Sequence, residues 1–233
     1  MKREKFRIII KAKKVPFVNN PIIEYVEDGK KNRLFCEIYY DNNLIAKGII
    51  LDFYKEFENI ELGEKYSHVL TFKWKGKIYT KNTYFGQIVF KIKNYKNPPL
   101  NIKTKERYIN EIVAIFDGYV KSLLSKNLIL GFIPSSSKLP DEITGKLADI
   151  NKLSVNNFIF KNSNTQSKNI TIIANQDFDK YQVNLNNFKK DSTFLIIDDV
   201  IGTGATFCEV MYKLYNFNKK TNYFLAIVKD VKR

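Results

Sequence analysis

Histidine and cysteine are almost missing: the 233 residues hold one histidine, His68, and two cysteines, Cys36 and Cys208, with no CxxC spacing. That scarcity excludes a zinc cluster and a disulfide framework, and both cysteines read as small buried apolar side chains. Long apolar runs are missing as well. No stretch approaches the roughly 20 residues of a membrane span, and the three isoleucines of MKREKFRIIIKAKK are too few for a signal-peptide core. A bacterial-type cytoplasm is the expected location, with no membrane partner. Internal repeats and low-complexity segments are absent, which excludes solenoids and fibrous folds.

What is present is globular: hydrophobic residues make up 44% of the chain and aromatics 14%, far from a disordered composition. The net charge of +15 is uneven, since residues 1–103 carry 21 Lys+Arg against 11 Asp+Glu and the remainder 18 against 13. A basic surface attracts the phosphates of nucleotides or nucleic acids. A Lys-, Asn- and Ile-rich chain with five arginines equally fits the codon bias of an AT-rich genome, so nucleic-acid contact through the N-terminal part stays open.

From Phe6 to about Tyr95 the chain reads as short alternating strands, RIIIKA, NRLFCEIYYD, NLIAKGIILDF, HVLTFKWKGKIYT and GQIVFKIKNY, with turns at Asp28-Gly29, Asp41-Asn42-Asn43 and Lys75-Gly76. A mostly antiparallel, basic β-rich domain over residues 1–100 is expected. Its aromatic residues Tyr39, Tyr40, Phe53, Tyr54, Trp74, Tyr79 and Tyr84 suit either base stacking or ordinary core and cross-strand pairs. NYKNPPLNIKTK is the best linker. Beyond it Ile109, Ile112, Val113, Phe116, Val120, Leu123 and Leu124 fall on one helical face, and strands then alternate with helices: LILGFIP, a helix over Asp141 to Leu153, NNFIF, TIIA, FLIIDD, a helix over Thr206 to Phe217, and YFLAIV. Such alternation predicts an α/β domain over 101–233 with a parallel, Rossmann-like sheet.

The chemistry concentrates at residues 194–207. FLIIDDV is an apolar strand ending in two carboxylates, and it runs into IGTGATF and an amphipathic helix. A parallel strand buried on both faces must be continuously apolar, and its carboxyl end opens where such sheets bind ligands. Gly202 and Gly204 let the backbone turn close to a ligand. Thr203 and Thr206 add hydroxyls to the exposed amides of the helix start, which makes a phosphate cradle. Asp198 and Asp199 can accept from sugar hydroxyls. The bland alternative is a plain strand-to-helix turn. No GxGxxG follows any strand and no GxxxxGK[ST] occurs, which argues against dinucleotide and P-loop sites.

Leu195 to Thr206 resembles the phosphoribosyl-diphosphate signature of type I phosphoribosyltransferases: apolar strand, two acids, two apolar residues, two small residues, glycine, any residue, threonine or serine. The resemblance implies that Asp198 and Asp199 hold the ribose hydroxyls, and that Gly202, Thr203, Gly204, Ala205 and Thr206 wrap the 5-phosphate. Gly202 stands where the family more often has Thr, Ala or Ser. Upstream, Ser135, Ser136, Ser137 and Lys138 follow LILGFIP and resemble the family's pyrophosphate loop, with a Ser-rich helix cap as the alternative. Asp198, Asp199 and Lys138 are then the residues nearest the chemistry. Magnesium is implied as cofactor, held mainly through phosphoribosyl diphosphate, with no direct protein ligand. Residues 159–193 form a polar stretch like the family's mobile flap. Lys161, Thr165, Gln166 and Lys168 there loosely match a pattern of the competence-associated ComF branch.

Three function classes follow: a phosphoribosyltransferase that joins the phosphoribosyl group to a nitrogen nucleophile and releases pyrophosphate, a non-catalytic sensor of phosphoribosyl diphosphate or a nucleotide, and a nucleic-acid-associated protein like the competence branch. The fold would tolerate a homodimer.

Overall fold

The computed structural model describes residues 3–12, 22–27, 33–56, 71–74, 76–94, 99–124, 127–162 and 179–231. Among them are eleven strands and four α-helices. The strands are β1 (Phe6–Ala12), β2 (Ile23–Glu27), β3 (Leu34–Tyr40), β4 (Asn43–Phe53), β5 (Thr71–Trp74), β6 (Lys77–Thr80), β7 (Leu128–Phe132), β8 (Ile159–Lys161), β9 (Tyr181–Val183), β10 (Thr193–Ile201) and β11 (Asn222–Lys229). The helices are α1 (Tyr84–Asn94), α2 (Ile102–Leu123), α3 (Leu139–Asn151) and α4 (Ala205–Asn218). No helix among the described residues is long and apolar enough to cross a membrane.

Seven strands form one sheet in the order β2-β1-β3-β4-β11-β10-β7. The pairs β4–β11, β11–β10, β10–β7 and β1–β2 are parallel, while β3 is antiparallel to both β1 and β4. The protein is therefore α/β with a mixed, mostly parallel sheet, compatible with a Rossmann-like core. Strands from both sides of residue 100 share this sheet: Ala46 of β4 lies opposite Asn222 of β11, and the ladder continues to Phe53 opposite Lys229. The boundary drawn near residue 100 thus falls within one hydrogen-bonded framework rather than between two sheets.

The sheet is covered on both faces, as the alternation within β10 requires. Phe194 and Ile196 pack with Phe207, Val210, Met211 and Leu214 of α4 and with Phe158, Ile159 and Tyr181 of the small β8–β9 hairpin. Leu195 and Ile197 point the other way, into Ile88 and Val89 of α1, Ile112, Val113 and Phe116 of α2, and Leu139, Ile143 and Leu147 of α3. Burial on both faces explains why β10 has no polar residue between Thr193 and its acidic end. Each helix starts or stops at a legible signal. Asn101 accepts from the Lys103 and Thr104 amides at the start of α2, and Lys152 and Lys219 end α3 and α4 in the left-handed region.

One expected strand is a helix. GQIVFKIKNY forms most of α1, because Thr83 Oγ1 accepts from the Gly86 amide at 3.1 Å, and Phe85, Ile88, Val89 and Ile92 fall on one helical face against the sheet. The apolar–polar alternation of FKIK fits a strand equally well over so short a stretch. The Asp41-Asn42 turn is present, with φ of 49° and 65° at the two residues, as a two-residue hairpin demands. The Asp28-Gly29 turn and the TIIA strand lie outside the described residues.

Of the aromatic residues singled out, Tyr40 packs between Phe6 and Tyr212, with ring centroids 4.7 and 4.3 Å away, and Phe53 is buried. Tyr39 carries Arg7 5.0 Å above its ring. These are core and cross-strand roles. The side chains of Trp74 and Tyr79 lie outside the described residues.

Candidate functional site

After β7 the chain takes α3 on one face, forms a single parallel bridge from Val155 to Leu130 at the outer side of β7, and reaches the β8–β9 hairpin on the opposite face before entering β10. The connections therefore diverge at β7 and β10. Open α/β sheets form their ligand crevice at such a divergence, outside the carboxyl ends of the strands. The residues found there are Ser135, Ser136, Ser137 and Lys138 after β7, and Asp198, Asp199 and the 202–206 loop at the end of β10.

Asp199 is the hub. It is 3% exposed, yet three donors reach it. The Ser135 and Ser137 hydroxyls donate to Oδ2 at 3.0 and 2.9 Å, and Lys93 Nζ lies 2.8 Å from Oδ1. Ser137 Oγ also accepts from the Leu139 amide at 3.3 Å, tying the hydroxyl to the first turn of α3. Lys93 is the residue that sequence reasoning missed. It sits in the last turn of α1, inside the segment read as a strand, where nothing in its neighbourhood marked it as near the acidic pair. Ser136 and Lys138 are exposed, and Lys138 holds φ of 55° at the start of α3. The structure brings Ser135 and Ser137 to the acidic pair and leaves Ser136 and Lys138 at the rim.

Asp198 is buried beside Asp199 and accepts the Asp199 amide at 2.8 Å. Burial, and then the neighbouring Asp199 charge, push its carboxyl well above the ordinary carboxylate range. The pair therefore differs in its two members: Asp199 has cationic and hydroxyl partners, whereas Asp198 favours its protonated form. Burial raises the nearby Tyr54 and Tyr181 phenols, with the Asp230 and Asp199 charges adding to the effect at Tyr54 and those of Asp198, Glu209 and Asp199 at Tyr181.

The 202–206 loop is held from three sides. Lys229, 1% exposed, donates to the Gly202 carbonyl at 2.8 Å and to the Asp230 carbonyl at 2.5 Å. The Asp230 amide donates back to Ile201 at 2.8 Å. Gly204 has φ of +80°, which favours glycine, and a Cβ there would lie 2.3 Å from Ile8 Cδ1, so the end of the Ile8 side chain would have to move as well. A Cβ on Gly202 would meet nothing within 4 Å; that glycine is not demanded by sterics in this conformation. Thr203 Oγ1 accepts from the Ala205 amide at 3.5 Å, and Thr206 hydrogen-bonds the Tyr181 phenol. The Ala205 amide is thus capped from within the loop, and the Thr203 and Thr206 hydroxyls stand at the helix start.

The expected flap begins in β8 and contains β9. Glu209 of α4 accepts the Tyr181 amide at 2.8 Å and pairs with Lys213 at 3.0 Å, while Lys213 also donates to the Tyr181 carbonyl. Lys161 ends β8, and Lys180 beside β9 is held below the ordinary lysine range by burial and by the Lys161 charge. Thr165, Gln166 and Lys168 lie outside the described residues.

Magnesium finds two adjacent carboxylates here and, among the described residues, no group of three or more His, Cys, Asp or Glu arranged for a metal. A hard cation held mainly through a bound diphosphate and water would need no direct ligand from the pair. No family model matches the chain, and no curated protein matches it in sequence.

Proposed function

We propose that the protein binds phosphoribosyl diphosphate at the carboxyl ends of β7 and β10 and transfers the phosphoribosyl group to a nitrogen nucleophile. The observation that carries this reading is the convergence of the two loops on one acidic pair, with Ser135 and Ser137 donating to Asp199. The adjoining strand-to-helix loop brings its backbone amides and the Thr203 and Thr206 hydroxyls to the start of α4. A sugar bearing phosphate at one end and diphosphate at the other needs all three features: an anion cradle, acceptors for its diol, and donors for the second anion.

In the reaction the bond from C1 to the diphosphate oxygen breaks, and pyrophosphate leaves with the electron pair. The nitrogen bonds to C1 and gives its proton to solvent. Asp199 and Asp198 accept from the ribose hydroxyls and fix the ring, while the 203–206 amides hold the 5-phosphate. Donors from the 135–138 loop meet the charge that grows on the leaving group. Magnesium, when bound, screens that charge and orients the diphosphate. Little acid–base chemistry is required of a chain with one histidine.

A second reading, a sensor of phosphoribosyl diphosphate or a nucleotide without turnover, draws on the same geometry, because Asp199 is already saturated by three donors. Calorimetric titration of wild type and D198N/D199N with phosphoribosyl diphosphate, with and without magnesium, tests binding. Magnesium-dependent binding that the double variant loses supports the site, and no binding by wild type removes it. Pyrophosphate release across a panel of nitrogenous acceptors then separates enzyme from sensor.

A further inference from the structure

We infer that Lys93, together with Ser135 and Ser137, forms a diphosphate-binding site that Asp199 fills from within the chain. Its physiological ligand rests on the phosphoribosyl diphosphate reading; its anion chemistry does not. Three donors from two segments far apart in sequence, α1 and the β7–α3 loop, converge on one carboxylate. To such donors a carboxylate and a phosphoryl group look alike: oxygens sharing negative charge, able to take two hydroxyls and an ammonium at once. A constellation built only to bury Asp199 would have no reason to keep its cation accessible. Here the Lys93 side chain retains 29% of its exposure while that of Asp199 retains 4%. Lys93 also lies in the last turn of α1, where the terminal carbonyls of the helix favour a cation.

An incoming diphosphate meets Lys93 first and exchanges with Asp199 for its donors. The exchange breaks no covalent bond. It releases Asp199 to accept from the ribose hydroxyls, so anion capture and sugar recognition become one event. During transfer the same ammonium faces the leaving group as its charge increases. Lys93 thus extends the 135–138 loop with a cation from a segment outside the apparent phosphoribosyltransferase motifs.

The site predicts competition between Asp199 and free diphosphate. Titration with inorganic pyrophosphate, without divalent metal, of wild type, D199N, K93M and K93M/D199N tests it. D199N is expected to bind pyrophosphate about tenfold more tightly than wild type, and K93M about tenfold more weakly, the size of one charge-assisted hydrogen bond. K93M/D199N keeps no unpaired buried charge and so remains informative if K93M alone does not fold; it is expected to bind at least about tenfold more weakly than D199N. Equal affinity of D199N and K93M/D199N, or no binding by any form including D199N, overturns the inference. Pyrophosphate behaviour as expected with no binding of phosphoribosyl diphosphate and magnesium would remove the proposed function and leave this site standing. Wild-type binding of phosphoribosyl diphosphate that K93M/D199N and D199N change equally would remove Lys93 and leave the function.

Discussion

Lys93 Nζ lies 2.8 Å from Asp199 Oδ1 across 106 residues of sequence, and this contact joins the first hundred residues to the acidic end of β10. Removing the ammonium alone leaves a buried carboxylate with two hydroxyl donors and no counter-charge. Breaking one partner of a buried pair costs more than the pair itself contributes. K93M is therefore expected to lose about 2–3 kcal/mol of stability, less than a fully buried pair would because the lysine is partly solvated. K93M/D199N should recover most of the loss, since it removes the stranded charge. Urea denaturation of the two variants and of wild type measures the coupling; equal loss in single and double variants would mean that the pair is only a surface contact.

The two glycines of the 202–206 loop should behave oppositely. At Gly204 a side chain must adopt φ of +80° and place its Cβ 2.3 Å from Ile8 Cδ1, so strain and overpacking add. G204A is expected to cost about 2–4 kcal/mol. G202A meets open space and should change stability by less than about 0.5 kcal/mol. Because Cδ1 is the atom in the way, I8V should relieve part of the G204A cost and none of a G202A cost, a difference that a double-mutant cycle reads directly.

Glu209 sets the hairpin against α4. It is 3% exposed, accepts the Tyr181 amide at 2.8 Å and pairs with Lys213 at 3.0 Å. E209A strands both partners and should cost about 2–4 kcal/mol, whereas E209Q keeps the acceptor and loses less. Hydrogen exchange at the Tyr181 amide discriminates local from global loosening: exchange that quickens in E209A with the β10 amides unchanged places the effect in the hairpin, and uniform quickening places it in the whole fold.

The parts of the fold that the sequence made legible are those where one local rule suffices. β10 had to be buried on both faces because nothing polar interrupts FLII, and α2 because Ile109, Ile112, Val113 and Phe116 share a helical face. The same rule holds for α1 in Phe85, Ile88, Val89 and Ile92, but there the alternation of FKIK matches a strand as well. What no local rule carries is long-range pairing. That β4 lies parallel to β11 is decided by the face-to-face fit of two apolar strands separated by most of the chain. Asp198, Asp199, Ser135 and Ser137 were legible as a site because each loop has its own pattern. Lys93 was not, since a lysine near a helix end looks like any solvated one until the helix is docked.

Asp198 gives a pH signature of its own. Burial and then the Asp199 charge hold its carboxyl well above the ordinary range, while in the unfolded chain it titrates near about 3.9. Below about pH 4 both states carry the proton, and the contribution to stability is fully present. As pH rises from there the unfolded state releases its proton and the folded state keeps it; the unfolded state then binds fewer protons, so stability falls until the folded carboxyl ionises. D198N keeps an acceptor for the Asp199 amide, which donates to Asp198 Oδ1 at 2.8 Å, and has no proton to lose. Its stability relative to wild type should therefore grow with pH above about 4 and level off once wild-type Asp198 has ionised. Urea midpoints of both proteins across that range measure the difference, and parallel curves would mean that Asp198 is ionised throughout. D199N removes the second cause of the shift, so its Asp198 should ionise at lower pH and the fall in stability should end earlier. A ligand that needs both carboxylates ionised must displace the same proton, so its wild-type affinity should rise with pH over the same window.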